Sequence, residues 1–141
     1  MRYLVDTNVV SEWLQPQPTQ CVIDWLEGAA EDQVFLSVVT LAELRFGVER
    51  KARGRRRDQL SEWLHNDLPR RFEGRILRVD EAIAHAWGEI AAHSRAIGRP
   101  ISTMDAFLAA FSTVHQMTLV TRNVKDFSAL DIQLLNPWEI G

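Results

Sequence analysis

The pattern that most restricts this chain is the alternation of short branched, apolar runs with longer stretches of helical period. Tyr3-Leu4-Val5, Val34-Phe35-Leu36-Ser37-Val38, Arg75-Ile76-Leu77-Arg78-Val79, Thr118-Leu119-Val120-Thr121 and Ile132-Gln133-Leu134-Leu135 read as strands. A helix from Asn8 to Leu14, closed by Pro16 and Pro18, follows the first. Thr19 then caps a helix with Val22, Trp25, Leu26 and Ala29 on one face. Thr40 and Glu43 form a capping box that opens the helix of Leu41, Leu44 and Val48. After Gly54 comes a helix presenting Leu60, Trp63, Leu64 and Leu68, which Pro69 should end. Asp80 caps the helix of Ile83, Trp87, Ile90, Ser94 and Ile97, ended by Gly98 and Pro100. Ser102 or Thr103 starts the helix of Phe107, Leu108, Phe111 and Val114. Strands separated by helices imply an α/β, three-layer fold: a central parallel sheet of four to five strands flanked by helices. With 141 residues and no repeat, linker or low-complexity segment, residues 1–141 are expected to form one domain.

Composition narrows the function classes. No apolar run approaches the roughly 18 residues of a membrane span, and Asp6 interrupts any apolar stretch that would serve as a leader. Cys21 is the only cysteine. That rules out an internal disulfide and points to a reducing cytoplasm, with the thiol beside Val22 as a buried filler. The net charge of -3 is unevenly spread: Arg45 to Arg57 holds seven basic residues against Glu49 alone. This stretch is either a solvated helix end and turn around Gly54 or a contact for an anionic partner.

Several acids fall at similar addresses. Asp6 follows the first strand, at the carboxyl edge where open α/β sheets bind ligands. Glu43 lies in the first turn of the helix after the second strand. Asp105 lies in the first turn of the helix before the fourth strand, and Asn123 and Asp126 follow that strand. Each has an ordinary structural explanation when taken alone: Glu43 as the reciprocal acid of its capping box, Asp105 as a helix N-terminal acid, Asp6 as the start of a turn. Convergence changes the argument. Two carboxylates about 4 Å apart repel by roughly 4 kcal/mol at an effective dielectric of 20. A cluster therefore needs protonation or a cation. With no Cys or His in the set, Mg²⁺ or Mn²⁺ suits it better than zinc.

The residues Leu4-Val5-Asp6-Thr7-Asn8, Ser37 through Val48, Met104-Asp105-Ala106-Phe107-Leu108-Ala109-Ala110, Leu119-Val120-Thr121-Arg122-Asn123 with Asp126-Phe127, and Asn136-Pro137-Trp138 occur in this order along the whole chain. In them the sequence resembles the PIN-domain ribonucleases, and among these the toxins of the VapC/FitB type. The resemblance implies a PIN-like fold and a metal-dependent endoribonuclease, the toxin of a type II toxin–antitoxin pair, leaving 5′-phosphate and 3′-hydroxyl ends. It implies Asp6, Glu43 and Asp105 as catalytic carboxylates. Those three with Asn123 would bind Mg²⁺ or Mn²⁺, and Asp126 would compensate for the missing charge at 123 if its loop folds back. Thr7, Asn8 and Thr121 would orient the carboxylates. Arg53, Arg55 and Arg56 are the candidate RNA-backbone contacts. The implied partners are the RNA substrate, a cognate antitoxin, a second copy of the chain in a homodimer, and operator DNA reached only through the antitoxin. No membrane is implied.

Other constellations give way to simpler accounts. His85, Glu89 and His93 are four apart, and an exposed ladder of helical pairs explains them. His65 and His115 have no Ser or Cys partner for nucleophilic catalysis. No Gly-rich phosphate loop follows the first strand. Trp25, Trp63 and Trp87 have core spacing, and Trp13 and Trp138 are freer to line an interface. A second functional reading remains beside the nuclease: a catalytically weak PIN-fold protein that works by binding its antitoxin in an autorepressing, DNA-bound complex.

Overall fold

Parallel pairing with the first strand at the centre sets the frame of the molecule. The computed structural model describes residues 1–140. In chain order these form β1 (Tyr3–Val5), α1 (Thr7–Val10), α2 (Gln20–Gly28), β2 (Val34–Ser37), α3 (Val38–Glu49), α4 (Arg55–Glu62), α5 (Leu68–Arg71), β3 (Ile76–Leu77), α6 (Glu81–Ala96), α7 (Thr103–His115), β4 (Thr118–Val120), α8 (Val124–Phe127) and β5 (Leu134–Leu135). The sheet order is β3-β2-β1-β4-β5, and every neighbouring pair is parallel. No helix is long and apolar enough to cross a membrane among the described residues.

The register sorts side chains by face, because successive strand residues point to opposite sides. Leu4 pairs with Phe35 and Leu119, and Leu119 with Leu134. This row packs into one core with Ile83, Leu108, Phe111 and Phe127. The next row, Val5, Val120 and Leu135, faces the opposite core of Val9, Val22, Leu26, Leu44, Leu64 and Leu68. The expected three-layer α/β architecture is therefore present, with β3 and β5 as edge strands of two residues each, shorter than their apolar runs.

Several local expectations change. The second strand stops at Ser37, not Val38, and Ser37 is the N-cap of α3: its hydroxyl accepts from Thr40 N at 3.2 Å. The capping box at Thr40 and Glu43 is therefore displaced. Thr40 is buried inside the helix, and Glu43 sits in the second turn with no capping duty. The first helix opens at Thr7, with Asp6 as its cap, and tightens into a 3-10 turn over Ser11–Leu14. Pro69 does not end the long helical stretch. A π-helical turn at Trp63–Asp67, in which Leu68 N donates to Trp63 O, shifts the hydrogen-bond register and carries the chain through Pro69 to Arg71.

Finally, α6 stops at Ala96, so Ile97 is exposed. Gly98 adopts φ +72, Gly98 N donates to Arg95 O at 3.1 Å and Arg99 N to Ser94 O at 2.9 Å. That is a Schellman ending, which needs the left-handed residue glycine supplies. The two tryptophans expected to be free are held within the chain. Trp13 packs on Phe72 under the Arg71 guanidinium, and Trp138 lies under Arg122. Cys21 is half-buried against the core, as its position beside Val22 implies.

The Ser37 cap makes a distinguishing prediction. Ser37→Ala should cost about 1 kcal/mol of stability in urea denaturation, whereas Glu43→Ala should cost clearly less, since that side chain caps no backbone N–H. An equal or larger loss from Glu43→Ala would restore the capping role to Glu43.

Candidate active site at the carboxyl edge of the sheet

The central strand runs directly into Asp6, which is only 5% exposed. Its backbone N still donates to Val120 O at 2.9 Å, so the residue remains part of the sheet. Its side chain then turns to cap α1. Oδ1 accepts from Thr7 N at 2.6 Å, and Oδ2 accepts from the Thr121 hydroxyl at 2.8 Å and from Asn8 Nδ2 at 3.5 Å. Thr121 is the partner for a simple reason. Val5 pairs with Val120, so the next residue of each strand stands side by side. Thr121 Oγ1 also accepts from Asn123 N at 3.0 Å, which ties the loop after β4 to the same network.

Glu43 arrives from α3. Its Oε1 accepts from the Thr7 hydroxyl at 2.7 Å, and that hydroxyl lies 3.4 Å from Thr40 Oγ1. Asp105 arrives from the first turn of α7, where Ser102 Oγ accepts from its backbone N at 3.2 Å. The same Ser102 hydroxyl also acts on the Asp105 side chain, opposing the rise of its carboxyl.

The charges act on one another. Burial pushes the Asp6 carboxyl up from 3.8 to about 6, against the Thr121 and Thr7 hydrogen bonds, with Asp105 and Glu43 adding repulsion. Asp105 is also raised, chiefly by burial, opposed by Ser102 and reinforced by Asp126 and Glu43. Asp6, Glu43, Asp105 and Asp126 thus form one electrostatic group. Among the described residues no lysine or arginine forms an ion pair with any of them.

The fourth position divides. Asn123 is exposed and caps α8 with no side-chain hydrogen bond; only its backbone N joins the Asp6 network. Asp126, exposed on α8, is the residue whose charge reaches Asp105. Asn8 meets both sides of the site, since its Oδ1 accepts from Arg122 N at 3.4 Å.

The basic stretch lies elsewhere. Arg53 is in the loop before α4 and Arg55 and Arg56 open that helix, all exposed; Arg56 donates to Leu14 O at 2.7 Å. They follow the end of α3 at Glu49, about 9 Å past Glu43 along the helix axis. His85, Glu89 and His93 are exposed on α6, as an ordinary helix face would be. Two cations were not singled out in the sequence. A cleft of about 390 Å³ opens beside Asp105, with Arg99 to Ser102 on one wall and Lys125, Asp126 and Ala129 on the other. Their only signal was position: one follows a helix-ending glycine, the other sits between Asn123 and Asp126.

The PIN domain family model matches residues 3–133. The chain belongs to the PIN-domain family. Among curated proteins it is 38% identical to Toxin FitB of Neisseria gonorrhoeae, over 96% of this chain and 97% of that protein. It is 30% identical to VapC ribonuclease Y4jK of Sinorhizobium fredii, over 96% and 97% of the two chains. Among solved structures, FitAB bound to an IR36 DNA fragment contains a chain that superposes with a TM-score of 0.92 at 37% identity, covering 99% of this chain and 97% of that one. The matches run the length of the fold, in agreement with the motifs that carried the resemblance.

A carboxyl raised from 3.8 to about 6 binds its proton more tightly in the folded state. Its contribution to stability is therefore full below about pH 4 and is lost as pH rises through about 6, an effect on the order of 3 kcal/mol. In EDTA, urea denaturation between pH 5 and pH 8 should show the parent losing stability relative to Asp6→Asn as pH rises. Parallel profiles for the two proteins would contradict the burial of an ionising Asp6.

Proposed function

We propose that this PIN domain is a Mg²⁺- or Mn²⁺-dependent endoribonuclease, the toxin of a toxin–antitoxin pair, with Asp6, Glu43 and Asp105 as its catalytic carboxylates. The observation that carries the reading is the buried Asp6 carboxylate, raised to about 6, pressed by two further acids and, among the described residues, ion-paired to no lysine or arginine. A site that concentrates negative charge in this way is prepared for a cation from solution.

The donor set fits a hard divalent ion: carboxylates, hydroxyls and an amide, with no thiol or imidazole. Among the described residues no three His, Cys, Asp or Glu side chains close into a ready-made ligand cluster. Mg²⁺ does not require such a cluster, since it keeps several waters and can bind through one or two carboxylates, with the remaining groups acting through those waters. Asp6 and Asp105 are the principal ligands in this reading, with Glu43 and Asn123 completing the set. When bound, such an ion neutralises phosphate oxygens and makes its water acidic enough to supply a nucleophile at neutral pH.

The chain supplies the rest. Thr7 N, the Thr121 hydroxyl and the long Asn8 contact fix the Asp6 carboxylate in one orientation while leaving a lone pair on Oδ1. Thr7 Oγ1 holds Glu43 by Oε1, which leaves Oε2 free to act as the base in this reading. Because Thr7 belongs to the α1 turn that Asp6 caps, the two acids are positioned by the same residue.

The relatives' names support the assignment: FitB is called a toxin, Y4jK a VapC ribonuclease, and the FitAB complex was solved on DNA. By extension a cognate antitoxin binds this chain, operator DNA is met through that antitoxin, and the toxin pairs as a homodimer. One observation favours the alternative of a catalytically weak antitoxin-binding partner. Residue 123 is an exposed amide where a fourth carboxylate would strengthen the metal site.

Purified protein should cleave RNA in Mg²⁺, stop in EDTA and recover when Mg²⁺ is restored. Asp6→Asn should lower the rate by about 10²-fold or more with the fold intact, and Asn123→Asp should lower the Mg²⁺ concentration needed for half-maximal activity. Metal-independent cleavage, or full activity in Asp6→Asn, would overturn the mechanism. Absence of cleavage with any metal would leave the binding partner as the function.

A further inference from the structure

Beyond the carboxylates, the cleft beside Asp105 carries two cations that the nuclease scheme does not use. Arg99 and Lys125 face it from opposite walls, and neither forms an ion pair among the described residues, although Asp105 and Asp126 line the same space. Resting on the nuclease reading, we propose that this cleft seats an RNA backbone phosphate adjacent to the one being cleaved, gripped by Arg99 and Lys125.

The walls are built to hold the two groups in place. Arg99 is the residue after Gly98 in the Schellman ending of α6, so its backbone is fixed by its own bond to Ser94 O and by Pro100 behind it. Ser94, 2% exposed, anchors the connection a second time: its hydroxyl accepts from Ile101 N at 3.2 Å and donates to Ala91 O at 3.0 Å. On the far wall Ser128 Oγ donates to Lys125 O at 2.9 Å and accepts from Arg99 Nη2 at 3.2 Å. One serine thus joins the two walls. The guanidinium has five N–H donors, and this contact uses one.

The location decides the ligand. The cleft begins at Asp105, so a strand whose scissile phosphate lies over the carboxylates continues into it. A phosphodiester brings one negative charge per nucleotide, which complements two cations beside a group of acids. The basic stretch at 45–57 is a poorer grip for this phosphate. Arg45 and Arg57 are paired with Glu49, and the segment lies beyond the end of α3 at Glu49, away from the cleft.

The test measures binding of a short fluorescein-labelled single-stranded RNA to the full chain by anisotropy, in EDTA to prevent turnover, between 50 and 200 mM salt. Arg99→Ala/Lys125→Ala should weaken binding about tenfold or more. It should also flatten the log–log salt slope by about 0.7, the value for one phosphate on a single strand. Arg99→Lys should recover part of the affinity. In Mg²⁺ the double variant should raise KM with little change in kcat, as for contacts made equally in ground and transition states. Arg53→Ala/Arg55→Ala should leave the cleft's share of the slope intact.

An unchanged affinity and slope in the double variant would overturn the proposal while wild-type cleavage left the nuclease assignment standing. So would an equal loss of binding to polyglutamate, which would mark a general anion contact. If the wild-type chain neither binds nor cleaves RNA, the nuclease reading itself fails, and the cleft's assignment with it.

Discussion

A carboxylate buried at the end of a central parallel strand is the constraint on which the site depends. Asp6 cannot leave that position, because its backbone is paired to β4 and its side chain begins α1. Its charge is costly there, and the fold offsets the cost only in part. Two hydrogen bonds stabilise the ionised form, while burial and neighbouring acids oppose it more strongly. A structural N-cap would be satisfied with Thr7 N and partial exposure. Here the cap is 5% exposed and two more acids are brought toward it. Local stability is given up for a concentration of charge, and that kind of trade marks a functional site.

The neighbours are assembled by backbone geometry rather than by chains of contacts. Parallel register sets Thr121 beside Asp6. The direct change from β2 to α3 at Ser37 sets Thr40 and Glu43 over Thr7. Ser102, capping α7, sets Asp105 at the same edge. Each of these is a strand-to-helix or helix-start junction, where chain direction is fixed by caps worth about 1 kcal/mol apiece. Precise placement on rigid elements keeps flexible acids from relaxing their repulsion by swinging into solvent.

The same logic explains what could be read from the sequence. The strands, the helices and the addresses of Asp6 and Asp105 were legible, because apolar periodicity and cap residues are local signals. The role of Glu43 was partly hidden by a capping box that pattern alone supports. Ser37, three residues before Thr40, was the better cap once the strand ended there, and that depended on pairing with β3. The passage through Pro69 depended on a π-turn that no propensity announces. Thr7 was named from the resemblance as a residue orienting the carboxylates; that it holds Glu43 in particular is a contact across 36 residues that no local pattern announces. Arg99 and Lys125 stand 26 positions apart in the chain, and nothing in either segment signals that they share a cleft.

Charge balance connects these features. Four acids in one field would bind a cation strongly, yet position 123 is an amide and Asp126 reaches Asp105 from an exposed helix. Placing Arg99 and Lys125 next to that group lowers the net negative potential that an incoming phosphodiester must cross, without neutralising Asp6 itself. A strand of RNA is a polyanion, and a purely acidic pocket would repel every phosphate except the one held by the metal. In the proposed reading the two tasks are separated: carboxylates at the centre would hold the ion, and cations one wall away would hold the next phosphate. With Arg99 in the α6–α7 connection and Lys125 on α8, both beside the acids of the sheet edge, the polarity of the cleft would orient the proposed strand across Asp105.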